Sequence, residues 1–167
     1  MTRTTLLFSI LWLLAAPASA QDIQTIGLIE ADFAGEPLSQ TTISYLDRGQ
    51  RLATASLTNT GGLTSLTIQA AEGNPVVIEA LFNSTAPGPQ TAPIYVTIGY
   101  FPSGMQPHWT SEDAPEPAQV IFEALDDTQA IGTFEAQLCF VPEGAYEPDT
   151  TNCQSISGRF ETGLIRE

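Results

Sequence analysis

The chain has 167 residues and a net charge of −14, because nineteen carboxylates face only five basic residues, all of them arginine. A surface this acidic repels nucleic acid and anionic lipid headgroups. Nucleic-acid binding and electrostatic attachment to a membrane surface are therefore excluded.

The first twenty residues have the organisation of a secretory signal peptide. Arg3 supplies the positive start, an apolar run follows from Leu6 to Ala16, and residues 18–20 (ASA) form a small-x-small cleavage site. The apolar run is shorter than the roughly 20 residues that a membrane-spanning helix needs. We therefore expect cleavage before Gln21, export to the periplasm or the medium, and no membrane insertion.

Residues 21–167 are expected to form one domain of short strands. Apolar and polar residues alternate in short runs that Gly, Pro and Asn interrupt. A period of two is typical of antiparallel sheets with one buried face. About seven to nine such runs predict an all-β fold, an antiparallel β-sandwich or jelly roll. The predicted strands are 24–33, 41–46, 51–58, 65–70, 76–82, 94–100, 120–125, 131–141 and 156–165.

Two longer segments between these runs, 84–93 and 102–119, are rich in proline and are predicted to be loops. Exposed aromatic side chains often mark binding sites. The second segment and the strand before it therefore predict an aromatic platform for a glycan or a protein. The alternative is that the tryptophan folds back to cover one end of a sheet. The platform residues are Tyr100, Phe101, His108 and Trp109.

Two acidic turns are candidates for a calcium site, because calcium prefers clustered oxygen ligands. The chain has no EF-hand loop pattern, so two solvated turns are the alternative interpretation. No other cofactor is predicted. The candidate ligands are Asp126 and Asp127 in one turn and Glu147, Asp149 and Asn152 in the other.

The two cysteines, Cys139 and Cys153, predict one disulfide, since an exported chain meets an oxidising compartment. The single histidine is distant in sequence and no C-x-x-C motif is present, so a metal or redox role is not indicated. Placing the cysteines opposite one another on antiparallel strands fixes the register of the whole hairpin.

That register pairs each phenylalanine of the hairpin with a glycine on the opposite strand. Phe134 lies opposite Gly158 and Phe160 lies opposite Gly132, so each ring covers a residue without a side chain. The other face is polar. There Arg159 is expected to form exposed ion pairs with Glu135 and Glu161.

The last thirty-five residues or so resemble exported bacterial β-sandwich proteins, most of them uncharacterised, that end in paired G-x-F strands. The matching residues are Gly132–Leu138 (GTFEAQL) and Gly158–Leu164 (GRFETGL). The resemblance implies a β-sandwich fold and an exported location, and it implies no activity.

Catalytic motifs are scarce in this sequence. It has no G-x-S-x-G elbow and no phosphate-binding glycine loop, and His108 is its single histidine. We therefore predict that the protein is not an enzyme but an exported structural or interaction protein of the bacterial cell envelope, with a protein or glycan partner. The alternative is a small carbohydrate- or calcium-binding module, and a hydrolase is the third interpretation.

Overall fold

The computed structural model describes residues 22–71 and 73–166, and within them every regular element is a strand. The prediction of an all-β fold is confirmed. The strands are β1 (Gln24–Phe33), β2 (Glu36–Asp47), β3 (Gln50–Ala53), β4 (Ala55–Thr60), β5 (Leu63–Gln69), β6 (Val76–Phe82), β7 (Tyr95–Tyr100), β8 (His108–Thr110), β9 (Gln119–Leu125), β10 (Gln129–Val141), β11 (Asp149–Gly163) and β12 (Ile165–Arg166).

The described part of the chain forms twelve strands, whereas the sequence pattern predicts about seven to nine. The additional strands are short. The predicted strand 51–58 divides at Thr54 into β3 and β4, and β8 and β12 contain only three and two residues. Runs of this length carry no detectable period, because alternation needs at least four residues to be recognised.

The strands form one hydrogen-bonded sheet in the order β12-β4-β5-β6-β7-β8-β10-β11-β1-β2-β3, and β9 pairs with β10 beside β8. Neighbours along this order are antiparallel except β12 and β4, which are parallel. The sheet folds over so that its two halves face each other, as in a sandwich. Backbone hydrogen bonds link β2 to the β4–β5 end of the sheet, because the N–H groups of Thr54, just before β4, and Ala71, just after β5, donate to the carbonyls of Ile43 and Thr41.

The core lies between the two halves and is dominated by aliphatic and phenylalanine side chains. Phe82 of β6 contacts Phe122 of β9 across the core, with ring centroids 5.8 Å apart, and Phe122 in turn contacts Phe160 of β11 at 5.9 Å. Alternate residues of β6 are buried from Val76 to Phe82. The period of two in the sequence therefore corresponds to one buried face, as predicted.

The hairpin of β10 and β11 has the register that the cysteines predict. Cys139 pairs with Cys153, and the two sulfur atoms form a disulfide. Phe134 lies opposite Gly158, and a Cβ atom on that glycine would be 2.7 Å from the ring. The second predicted phenylalanine–glycine pair is also present, with a corresponding separation of 3.0 Å. A side chain at either glycine would also meet a backbone carbonyl of the neighbouring strand, that of Glu30 at Gly158 and that of Ile121 at Gly132, so it would force strands apart as well as displace a core ring.

No helix among residues 22–71 and 73–166 has the length and apolar character needed to cross a membrane. The predicted signal peptide and its cleavage site before Gln21 lie outside the described residues. The disulfide fits an oxidising environment outside the cytoplasm.

Candidate functional site

A cleft opens where the sheet divides between β7 and β9. Strand β8 bridges the two halves, pairing with Gly99 and Tyr100 of β7 on one side and with residues 139–141 of β10 on the other. After β8, Ser111 makes two more hydrogen bonds to β7, both to the backbone of Ile98. The chain then leaves the sheet and returns as β9, so the edges of β7 and β9 are no longer bridged.

The segment between β8 and β9, residues 112–118 (EDAPEPA), cannot continue the ladder. Pro115 and Pro117 have no backbone N–H to donate, and proline disrupts the pairing of a central strand. Asp113 has a φ of 57°, which turns the chain out of the extended conformation. The segment therefore arches over the division of the sheet and forms one wall of the cleft.

The cleft encloses about 640 Å³, and its rim is apolar. Ile94, Tyr95 and Ile121 are 60%, 49% and 65% exposed. Val96 and Val120 are half-buried and join the core beneath them. Large apolar side chains that gather at an open cleft mark a binding site more reliably than single exposed ones do.

The wall of the cleft is acidic. Glu112 and Asp113 line it, and both are exposed. The four ion pairs within residues 22–71 and 73–166 involve Arg51, Arg159 and Arg166, and none of them includes a residue of the 112–118 segment. These carboxylates therefore give the cleft an uncompensated negative charge.

A second groove lies on the other side of the arching segment, against the polar face of β10 and β11. Glu116, Pro117, Glu135 and Gln137 are among its lining residues. Oε1 of Gln137 is buried and has no hydrogen-bond partner among the described residues. The arching segment thus has open, polar surroundings on one side and the apolar cleft on the other.

The structure brings the four predicted platform residues together on β7, on β8 and at the position directly after β7, but they pack against their neighbours. Tyr100 is only 8% exposed and contacts Phe33, with centroids 4.7 Å apart. Trp109 is half-buried, at 5.3 Å from Phe33 and 5.1 Å from Phe140. The other two residues, Phe101 and His108, stack on one another at 5.0 Å. Little aromatic surface at this position is free for a ligand.

The two acidic turns lie at opposite ends of β10, so they are separate sites. Asp126 and Asp127 precede this strand, whereas Glu147, Asp149 and Asn152 follow it. No group of three or more His, Cys, Asp or Glu side chains in the described part of the chain is placed to hold a metal ion.

The aspartates of both turns are occupied by protein groups. Oδ1 of Asp126 accepts hydrogen bonds from the hydroxyl and the N–H of Thr128, both at 2.7 Å, and from the N–H of Gln129. These bonds, that of the Thr128 hydroxyl above all, lower the pKa of Asp126 from its ordinary value. The hydroxyl and N–H of Thr151 lower the pKa of Asp149 in the same way. Asp127 pairs with Arg166.

Replacing Thr128 with valine is expected to raise the pKa of Asp126 towards its ordinary value, because the strongest donor to the ionised carboxylate is removed. NMR titration of the side-chain carboxyl carbons measures this change. Thr151→Val is the matched control and should move the pKa of Asp149 alone. An unchanged pKa of Asp126 in Thr128→Val would contradict the assignment.

Thr128→Val should also change how the stability of the fold depends on pH. The pKa of Asp126 is lower in the folded protein than in the unfolded chain. The hydrogen bonds to its carboxylate therefore stabilise the fold fully above the pKa of the unfolded chain, and this stabilisation is lost as the pH falls through the pKa of the folded protein. The difference in Tm between the wild type and Thr128→Val should therefore be largest above about pH 4 and shrink below it.

Sequence reasoning did not single out the residues at the rim of the cleft. The sequence pattern predicts a strand that begins at residue 94, but Ile94 precedes β7 and is exposed. A signal was present for Ile121. Val120, Ile121 and Phe122 are consecutive apolar residues, and a strand can turn only alternate residues to one core.

Comparison of the chain with known protein families, curated proteins and solved structures gave no match.

Proposed function

We propose that the chain is an exported, non-catalytic interaction protein of the bacterial cell envelope and that its binding site is the cleft between β7 and β9. The observation that carries the proposal is the exposed apolar rim formed by Ile94, Tyr95 and Ile121 around an open cleft. Burial of such side chains by a partner is favourable at about 25 cal/mol per Å². The disulfide, which suits an oxidising compartment, supports export.

Binding fits this cleft better than catalysis. The cleft is lined by apolar side chains, prolines and exposed acids, and the described residues that line it include no histidine, cysteine, lysine or arginine. General acid–base chemistry at neutral pH favours a titratable group whose pKa is shifted by burial or a close charge. Glu112 and Asp113 are exposed, as solvated carboxylates in a loop are.

Site-specific photo-cross-linking in intact cells tests the proposal. A photoreactive amino acid at position 121 or 94 should give a discrete cross-linked product, because both side chains border the cleft. Positions 146 and 105 are the controls, since Tyr146 and Met105 are 98% and 86% exposed and lie outside the cleft. Equal cross-linking at all four positions, or none at 121 and 94, would contradict the proposal.

Thermal melts distinguish the alternative, a small carbohydrate- or calcium-binding module. Calcium or an oligosaccharide at about a hundred times its dissociation constant would stabilise the fold by about 2.7 kcal/mol, a rise in Tm of roughly 5–10 °C. The interaction proposal expects no such rise with calcium, with EDTA or with a panel of oligosaccharides. A rise with one of them would favour the binding module instead.

A further inference from the structure

We infer that the partner in this cleft is an extended, cationic protein segment that adds as a strand to the free edge of β9. The inference rests on the proposed function, because it names the class of partner that the cleft would bind. In β-strand addition, backbone hydrogen bonds to an open sheet edge provide affinity, and alternate side chains provide specificity.

The edge of β9 is open. Within the described residues β9 pairs with β10 alone, so its other side has unpaired backbone N–H and C=O groups. The first part of β7 borders the same cleft, because β8 and Ser111 cover only residues 98–100 of that strand. The cleft is thus lined by backbone edges as well as by apolar side chains.

The two terminal strands of the sheet are short and each has an arginine in an ion pair, whereas β9 has no basic residue. At one end, β12 covers the edge of β4, and Arg166 of β12 pairs with Asp127. At the other end, β3 is four residues long and Arg51 within it pairs with Asp22. Short strands and charged side chains discourage edge pairing. The pairing of β9 shifts register between Ile131 and Gly132 of β10, which leaves Gln119–Phe122 as its regular part.

The side chains of this regular part suit an extended ligand. Ile121 is 65% exposed on the outer face, whereas Val120 and Phe122 point towards the core. Ile94 and Tyr95 lie across the cleft on the β7 side. A strand added beside β9 would place alternate side chains against these apolar groups, as the pleat requires. The segment that fits therefore has apolar residues at every second position.

The charge around the edge selects a cationic segment over a second copy of this chain. Glu112, Asp113, Glu116 and Glu123 are exposed on or beside the arching segment and β9, and none of them forms an ion pair within the described residues. A second copy would bring the same acids and a net charge of −14 to the interface. Like charges that meet across an interface oppose association, whereas lysine and arginine favour it.

Fluorescence anisotropy with the purified chain and a synthetic peptide tests this inference. The probe is a labelled peptide of about eight residues that alternates lysine or arginine with valine or tyrosine. Ile121→Ser should weaken its binding about tenfold or more, because the substitution removes the apolar side chain that the peptide covers and adds no charge. Tyr146→Ser makes a similar change outside the cleft and should leave the affinity unchanged.

Two further peptides separate strand addition from electrostatic attraction. N-methylation of alternate backbone amides keeps the charges and side chains but removes hydrogen bonds to the edge, and it should abolish binding. A peptide of the same composition with its apolar residues grouped at one end should bind at least about tenfold more weakly. Equal binding of the N-methylated and parent peptides would overturn the inference.

The two proposals fail in different ways. Cross-linking at position 121 in cells, together with no binding of the alternating peptide, would leave the cleft as a binding site and exclude strand addition by a cationic segment. Cross-linking at position 121 that is no stronger than at position 146 would overturn the proposed function whatever the peptide does.

Discussion

Replacing Phe160 with alanine is expected to lower the free energy of unfolding by about 3–5 kcal/mol. Phe160 is fully buried, and its ring contacts Phe122 and Phe134 at centroid distances of 5.9 and 6.5 Å. It also covers Gly132, which has no side chain with which to fill the space. The substitution would leave a cavity where β9, β10 and β11 meet, and Tm should fall by roughly 10–20 °C.

Tyr146→Ala is the matched control for this large-to-small change. Its aromatic side chain is 98% exposed, so its removal should change the free energy of unfolding by no more than about 0.5 kcal/mol. If Phe160→Ala does not fold, Phe160→Leu should show a smaller loss in the same direction. A Phe160→Ala protein that melts within about 2 °C of the wild type would show that the ring is not a central core contact.

The hairpin of β10 and β11 could be predicted in detail because two independent constraints agree on one register. The cysteines require residues 139 and 153 to be opposed, and the same register puts Phe134 and Phe160 on the core face. A shift by one residue would break the disulfide and expose both rings. Few other segments of the chain carry two such constraints, which is why this register alone could be specified from sequence.

The partner of Arg159 could be predicted only in part. Glu161 lies near it as expected, with N and O atoms 3.7 Å apart, but the other acid near it is Glu30 of β1, at 3.9 Å. Glu135 forms no ion pair with Arg159 in the structure. The difference arises because β1 pairs with β11 on the side away from β10. Local alternation identifies a strand and its faces but not its neighbours.

The cleft follows from pairings that the local sequence does not encode. Residues 102–119 were predicted to be a loop, yet His108–Thr110 forms β8 and bridges β7 to β10. A three-residue strand is stabilised by its neighbours rather than by its own propensity. Without β8 the division of the sheet cannot be foreseen, and without that division Ile94 and Ile121 have no reason to be neighbours.

Replacing both Cys139 and Cys153 with alanine is expected to destabilise the fold by about 3 kcal/mol, the second large effect that we predict. The bridge joins residues separated by 14 positions, so its loss allows the unfolded hairpin many more conformations. The expected decrease in Tm is roughly 10 °C.

The location of the disulfide explains why its loss should also destabilise structure outside the hairpin. Cys139 is buried, and in the sheet it lies between Cys153 of β11 and Thr110 of β8. The disulfide therefore stabilises the end of β10 with which β8 pairs. A thermal melt with and without reducing agent measures the effect. Reducing agent should lower the Tm of the wild type and leave that of the double variant unchanged, since the variant has no bond to reduce. If the wild type melts at the same temperature in both conditions, β8 and the core, rather than the disulfide, hold the end of the hairpin.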